Sequence, residues 1–344
     1  MYGCKAPGPM SGQCGENIWR ILLQGSFNEA DRFADARWNW FMTKAAVMVG
    51  LGEVLWDLLP SGKVLGGAPA NFAYMTNVLG DEGVVASRVG SDDLGREACR
   101  VMDGLRVGTS YLQHDTKHET GTATVRIDAG GQPTFTIKER VAWDFLQWTE
   151  SWQGLSARAD VICFGTLAQR SQESAETIER FLQSAPEQAL RICDANLRQS
   201  FFDKDVLSKS FRHAHIVKLN EQELLQVSHL FKLGVGSEEA LAQRLLHECD
   251  LKLICITRGA RGSLLVSEDE IVEHKGFRVK VADAVGAGDA FTACLAHHYL
   301  RERSLDEISE AANRFAGWVA TQVGATPLIQ QTQLQNILNG VVID

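Results

Sequence analysis

Three absences narrow the reading before any motif is considered. The eight cysteines stand apart, at Cys4, Cys14, Cys99, Cys163, Cys193, Cys249, Cys255 and Cys294, with no Cys-x-x-Cys pair. That pattern excludes zinc-ribbon and thioredoxin-type chemistry. Cys163, Cys193 and Cys255 sit in apolar runs and read as buried thiols of a reducing, cytoplasmic compartment. There is no basic stripe: 34 Lys+Arg against 43 Asp+Glu leave a net charge of −9, so nucleic acid is not an expected partner. No apolar run reaches the roughly 18 residues of a membrane span, so a membrane is not expected either. Internal repeats and low-complexity tracts are also missing.

What is present is ordinary globular composition, 45% hydrophobic and 22% charged over 344 residues. That suffices for one large α/β domain with a small appendage. Residues 1–44 hold Pro7, Pro9 and several tryptophans without a sustained period. They are expected to be an extension with little fixed structure, the rival reading being a helical arm from Asn28 to Phe41 that docks through Trp38 and Trp40. The main domain is expected over 45–330 and a tail over 331–344.

From residue 45, apolar strands alternate with helical patterns. Strands are predicted at Ala45–Gly50, Val84–Val89, Asp160–Gly165, Leu190–Asp194, His215–Leu219 and Leu253–Thr257. Helices are predicted at Ala70–Leu79, Ser171–Ser184, Glu221–Phe231, Ser237–Glu248 and Ala290–Arg303. Continuous apolar strands separated by helices imply a mostly parallel sheet covered on both faces. Thr122–Asp128 and Pro133–Lys138 alternate with period two around Ala129-Gly130-Gly131-Gln132 and read as a hairpin. Inserted between α/β units, it suggests a small β lid, formed from segments near 52–66 and 109–140.

The most informative stretch is Asp283-Ala284-Val285-Gly286-Ala287-Gly288-Asp289-Ala290-Phe291. A glycine-rich turn opening a helix aims backbone N–H groups at one point, at the positive end of the helix dipole, and so cradles a phosphate. A carboxylate beside that cradle cannot bind phosphate itself; its useful task is to take a proton from the attacking group. Cradle plus base is the minimum for moving a phosphoryl group onto a hydroxyl. The plain alternative is a helix start with a favourable first-turn charge.

Other stretches carry two readings each. Gly66-Gly67-Ala68-Pro69-Ala70-Asn71 is either an ordinary strand-to-helix turn with proline in its first turn or a close-approach loop whose Asn71 meets hydroxyls. Gly50-x-Gly52 has Leu55 where a dinucleotide fingerprint needs its third glycine. Asp57 reads better as an acceptor for polyol hydroxyls. Gly90-x-Asp92-x-x-Gly95 is either a functional loop or a capped helix start, the cap being favoured with a lesser role near substrate. Asn220-Glu221-Gln222-Glu223 is formally a capping box, and the same geometry could orient Mg²⁺ through water. Thr257-Arg258-Gly259-Ala260-Arg261-Gly262-Ser263 is either a nucleotide turn or a solvated hairpin corner. His297 and His298, adjacent on a helix, point apart and do not chelate.

Taken in order, these motifs resemble the ribokinase-like (PfkB) carbohydrate kinases over about Ala45 to Thr326. The carrying elements are Asp283–Phe291, Gly66–Asn71, Asn220-x-x-Glu223 and Thr257-Arg258-Gly259-x-x-Gly262. Gly52-Glu53 with Trp56-Asp57, Ala142-Trp143-Asp144 and Asp194-x-Asn196-x-Arg198 look most like fructokinases and their close relatives. The resemblance implies a three-layer αβα sandwich with a β lid, and a sugar kinase using ATP and Mg²⁺. It implies Asp289 as base, with Gly286, Ala287 and Gly288 shaping the anion hole. Asp57, Gly66, Gly67 and Asn71 would hold sugar, with Arg198 suited to an anionic one. Asn220 and Glu223 would organise magnesium and phosphate. Thr257, Arg258, Gly259, Gly262 and Asn313 would line the nucleotide, with the Gly324-Ala325-Thr326 loop near adenine. Asp283 would lie at a monovalent-cation site for K⁺, although Ala284 replaces the family's commoner threonine. Fructose is the leading acceptor; a keto-deoxy sugar acid, tagatose phosphate or a nucleoside are same-fold alternatives, and a non-catalytic sugar-binding protein is the alternative of another class. A monomer, or a homodimer through the lid's exposed edge, is expected.

Overall fold

The computed structural model describes residues 45–60, 62–127 and 133–340. The expected extension over 1–44 and the hairpin turn at Ala129–Gln132 lie outside the described residues. In chain order, the chain first forms β1 (Val47–Leu51), β2 (Leu55–Leu59), β3 (Gly62–Gly66), α1 (Ala68–Val78), β4 (Glu82–Gly90), α2 (Asp93–Gly104), β5 (Leu112–Asp115), β6 (Gly121–Ile127) and β7 (Pro133–Ile137). Then come α3 (Glu150–Arg158), β8 (Val161–Phe164), α4 (Gln172–Ser184), β9 (Leu190–Asp194), α5 (Lys204–His213), β10 (Ile216–Asn220), α6 (Glu221–Phe231) and α7 (Glu238–Glu248). The C-terminal third holds β11 (Leu253–Thr257), β12 (Ser263–Val266), β13 (Ile271–His274), α8 (Ala287–Tyr299), α9 (Leu305–Ala320) and α10 (Gln331–Leu338).

Nine strands form one sheet in the order β13-β12-β11-β10-β9-β8-β1-β4-β5. It is parallel except where β12 pairs with β11 and β13. Its strands are apolar on both faces because both faces are covered. In β1, Met48 packs into the core beneath α1, α8 and α9, whereas Val47, Val49 and Leu51 pack into the core beneath α3 to α7. In β11, Leu253 and Cys255 take the first side and Ile254 and Ile256 the second. The result is the expected α/β architecture: helices, sheet, helices.

A second sheet, in the order β3-β2-β6-β7, is the small β element predicted from the hairpin. β5 falls inside the segment expected for the lid but pairs with β4 at the edge of the main sheet, Ser87 opposite Leu112. β12 and β13 were not predicted: β12 is a wholly buried strand of four residues opening on a serine, and in β13 the exposed Ile271 and Glu273 interrupt the pattern; β3 falls in the segment near 52–66 expected for the lid. Part of the segment expected as a tail is the helix α10, whose Leu334 and Ile337 are buried in the first core.

Two helix starts shape the region where the cavities lie. α1 begins at Ala68 rather than Ala70, with Pro69 in the first turn, where its missing N–H costs nothing. Gly67 precedes it at φ 112°, and a Cβ there would meet Glu53 O at 2.5 Å. α8 begins at Ala287 rather than Ala290 because Gly286, at φ 80°, turns the chain before it. Gly288 and Asp289 therefore belong to the first helical turn.

Candidate active site

The first turn of α8 leaves N–H groups with no acceptor inside the helix, and no side chain caps this end. Ala287 N makes one long bond to Ala284 O, 3.3 Å. The turn is held from outside. The Asp283 carboxylate accepts from Val285 N at 3.0 Å and from Gly324 N at 3.1 Å, tying the turn to the loop after α9. Gly286 packs so closely that a Cβ would meet Ala325 Cα at 2.6 Å. The amide cradle is thus rigid and open.

Two cavities meet at this turn, and Ala284 and Gly288 line both. The first, about 570 Å³, lies against the small sheet: Asp57, Ala123 and Ile137 come from it, Gly67 and Asn71 from the start of α1, Arg198 from the loop after β9, and Lys218 from β10. Asp289 is on its wall. Asn71 Nδ2 donates to Asp289 Oδ2 at 2.7 Å, which aims the carboxylate. Enclosure by protein, and next the charge of Asp194, push the Asp289 carboxyl up to about 6; the Asn71 bond and the charges of Lys218 and Arg198 act against the rise. Burial also raises the Asp57 carboxyl, with Arg198 pulling the other way.

Lys218 and Asp194 had no role read from the sequence, yet both sit beside the cradle. Lys218 Nζ donates to both carboxylate oxygens of Asp194, at 2.9 and 2.8 Å, and Thr292 Oγ1 of α8 lies 2.8 Å from Asp194 Oδ2. Burial disfavours the ammonium, but Asp194, Glu223 and Asp289 together hold its pKa above the usual lysine value. A Cβ on Gly288 would lie 3.3 Å from that nitrogen, so the charge is next to the turn. The signal was available: Lys218 is a cation in the otherwise apolar run Ile216–Leu219, and such a residue requires a buried partner. The loop after β9 holds Asn196 and Gln199 at φ 44° and 51°, a left-handed backbone uncommon outside glycine and frequent at functional loops.

The second cavity, about 550 Å³, brings together Asn220, Thr257, Gly259, Gly262 and Asn313 with Phe277, Val279, Val281 and Ala316. Asn313 spends its amide on Ser263 Oγ and Ser309 O, both 2.7 Å away, and so braces α9 against β12. Phe277, Val279 and Val281 were not singled out in the sequence because they lie in a segment without strand or helix periodicity.

Three expected residues are placed otherwise. The Arg258 guanidinium is committed to Glu238 at 2.7 Å and Glu273 at 2.5 Å, bridging α7 and β13, and does not line the nucleotide-side cavity. Glu223 is buried, accepting from Asn220 N at 2.7 Å and Leu197 N at 2.8 Å; it completes the capping box and fastens the loop carrying Arg198. Gly66 stands beside the Asp57 side chain, not in the cavity wall: a Cβ there would strike the carboxylate. Among the described residues, no cluster of three His, Cys, Asp or Glu could hold a metal ion.

The family profile described as pfkB family carbohydrate kinase matches residues 61–332. The chain belongs to that family. It is a sugar kinase by that membership, and its relatives agree. A fructokinase of Vibrio alginolyticus is 29% identical over 302 residues, 82% of this chain and 96% of the relative. A fructokinase of Salmonella typhimurium is 30% identical over 257 residues, 71% of this chain and 81% of the relative. Among solved structures, an uncharacterized sugar kinase from Pyrococcus horikoshii superposes with a TM-score of 0.73 at 26% identity, covering 86% of this chain and 99% of that one. A fructokinase with bound ATP from Xylella fastidiosa superposes with a TM-score of 0.75 at 21% identity, covering 86% and 98%. The fold of this kinase is the one those structures share.

Proposed function

We propose that this kinase transfers the γ-phosphoryl group of ATP to a primary hydroxyl of a small sugar, with fructose as the acceptor. The observation that carries the reading is the position of Asp289: a carboxylate with a raised pKa, aimed by Asn71, beside open amides where a polar and an apolar cavity meet. The sugar occupies the polar cavity, where Asp57, Asn71 and the backbone of Gly67 offer hydrogen bonds to its hydroxyls. The adenine base occupies the apolar one. The phosphates pass over the turn of residues 284–288.

The hydroxyl oxygen attacks the γ-phosphorus, its proton goes to Asp289, and the bond to the leaving ADP oxygen breaks. Negative charge growing on the transferred group meets the amides of Ala287, Gly288 and Asp289 and the nearby Lys218 ammonium. Mg²⁺ neutralises phosphate charge when it accompanies the nucleotide. The side chains here fit an ion carried by the phosphates and water, since Glu223 is held by two backbone amides and no protein cage is present among the described residues. The Asp283 carboxylate is likewise occupied by two amides. A K⁺ beside the turn would therefore rely on backbone carbonyls.

Fructose rests on the named relatives and on a cavity whose wall carries Asp57, an acceptor for hydroxyls. Arg198 favours a second reading, an anionic acceptor such as a keto-deoxy sugar acid or a sugar phosphate, because a guanidinium suits carboxylate or phosphate. The test is ATP turnover with fructose, ribose, glucose, tagatose 6-phosphate, a keto-deoxy-gluconate and adenosine, for wild type and Asp289→Asn. Turnover on fructose that the variant lacks supports the reading. Turnover only on the anionic sugars moves the acceptor. Sugar binding without turnover on any member overturns catalysis.

A further inference from the structure

Glu53 has no part in the transfer just described, yet it stands next to it. It follows Gly52 at the exit of β1, is 4% exposed, and shares the wall of the sugar-side cavity with Asp289. Its Oε2 is buried and has no hydrogen-bond partner among the described residues. Leaving such an oxygen unpaired costs on the order of 1–3 kcal/mol, so native structures pair it, often with water. A place for a water exists. A separate cavity of about 10 Å³ is bounded by Glu53, Asp289, Asp194, Asn196 and Thr292. That is close to the space one water needs, and the wall has donors and acceptors for the two to four bonds that hold it.

We propose that one water fills this cavity and joins Glu53 Oε2 to Asp289, so that the two carboxyls share a proton that rests on Glu53. Glu53 then acts through Asp289, as a positioning residue. Its protonated carboxyl donates to the water, the water donates to the Asp289 carboxylate, and the base stays ionised and aimed inside an enclosed site.

The charges facing the pair agree with this assignment. Glu53 faces Arg198 from the loop after β9, Arg170 from the turn before α4, and Asp289 from α8. Asp289 faces Asp194, Lys218 and Arg198. Cys163 of β8 also bounds the small cavity, its thiol pushed up by burial and neutral. Burial, opposed by the two arginines and assisted by the Asp289 charge, raises Glu53 to about 7, above the value of about 6 for Asp289. Two carboxylates in one enclosure do not both ionise cheaply, so the first proton lost comes from Asp289 and the remaining one stays on Glu53. When Asp289 takes the hydroxyl proton, the pair holds two protons; one must leave to solvent before the next turnover.

The catalytic consequence rests on the kinase reading, but the decisive measurement does not. In protein with ¹³C-labelled Glu carboxyls, the Glu53 resonance, assigned by its loss in Glu53→Gln, is titrated in wild type and in Asp289→Asn. A midpoint near neutrality that falls by about one unit when the Asp289 charge is removed supports the shared proton. An ordinary midpoint near 4 in wild type, or the same midpoint in both proteins, overturns it, whatever sugar is phosphorylated. Activity then separates positioning from packing. Glu53→Leu is expected to lower kcat more than roughly tenfold, the scale of one lost hydrogen bond to a charged group. It should also move the acid limb of the pH profile upward, while Glu53→Gln, which still donates, recovers most of the loss. Equal losses in both variants with an unmoved acid limb would show that Glu53 only fills space.

Discussion

The two cavities that meet at the start of α8 are nearly equal in volume, about 570 and 550 Å³, and differ in the charged groups they carry. The first is walled by Glu53, Asp57, Asp289, Lys218 and Arg198. The second presents Phe277, Val279, Val281, Phe291 and Ala316 and has no carboxylate in its wall. The carboxylates and the lysine are therefore confined to one side, and the other has the Arg278 guanidinium as its charged group. The other side offers apolar contact and backbone to something flat that takes no part in the bond change. The wall between them is a glycine-containing turn, the thinnest divider a chain can make, so a phosphate chain can reach from one side to the other.

This contrast can be broken at chosen points. Removing the proposed base is the most severe change: Asp289→Asn is expected to lose ~10²–10⁴-fold in kcat while nucleotide binding, measured by calorimetry, is kept. Gly286→Ala strikes the shared wall. Its φ of 80° and its 2.6 Å approach to Ala325 Cα leave no room for a methyl group. Strain of about 1–3 kcal/mol should raise KM for sugar and nucleotide together; a change in only one would refute the shared wall. Asp57→Asn should raise the sugar KM roughly tenfold and leave the nucleotide KM alone. Gly317→Val adds bulk that first meets Val279 Cγ1, at 3.8 Å for its Cβ. It should raise the nucleotide KM by about a fewfold with no effect on sugar.

The smallest expected effect is on stability, and its sign is informative. A carboxyl raised from 3.8 to about 6 in the folded protein opposes folding once ionised. Asp289→Asn should therefore raise the free energy of unfolding above pH 6 by on the order of 1 kcal/mol, after allowing for the partial exposure of the group, and Tm with it. The gain should shrink as pH falls and vanish below the unfolded carboxyl's value. Turnover of the wild type should fall over the same interval, as pH drops through about 6, because the base must be ionised.

Much of the fold was legible. β1, β8 and the body of β11 are uninterrupted apolar runs, and such strands require cover on both faces. The cradle and Asp289 were legible because the glycine spacing, the helix start and the adjacent acid agree on one chemistry. Arg258 shows where that logic stops: an arginine beside a glycine turn suits phosphate, but the packing of α7 and β13 supplied two carboxylates first. Glu223 was ambiguous for a related reason, since a capping box and a water-mediated metal contact use the same residues at the same spacing. Lys218 and Glu53 went unassigned because their meaning depends on partners far away in sequence, Asp194 and Asp289.

The sequence by itself determined most strands of the central sheet, several of the helices that cover it, and that a carboxylate would stand beside a glycine-rich helix start, because these follow from period, glycine placement and helix-end chemistry over a few residues. Only the tertiary structure decided which charged groups face the cavities and which are used up in holding the fold. That choice depends on burial and on partners brought together from distant segments: Asn71 to Asp289, Lys218 to Asp194, and Arg258 to Glu238.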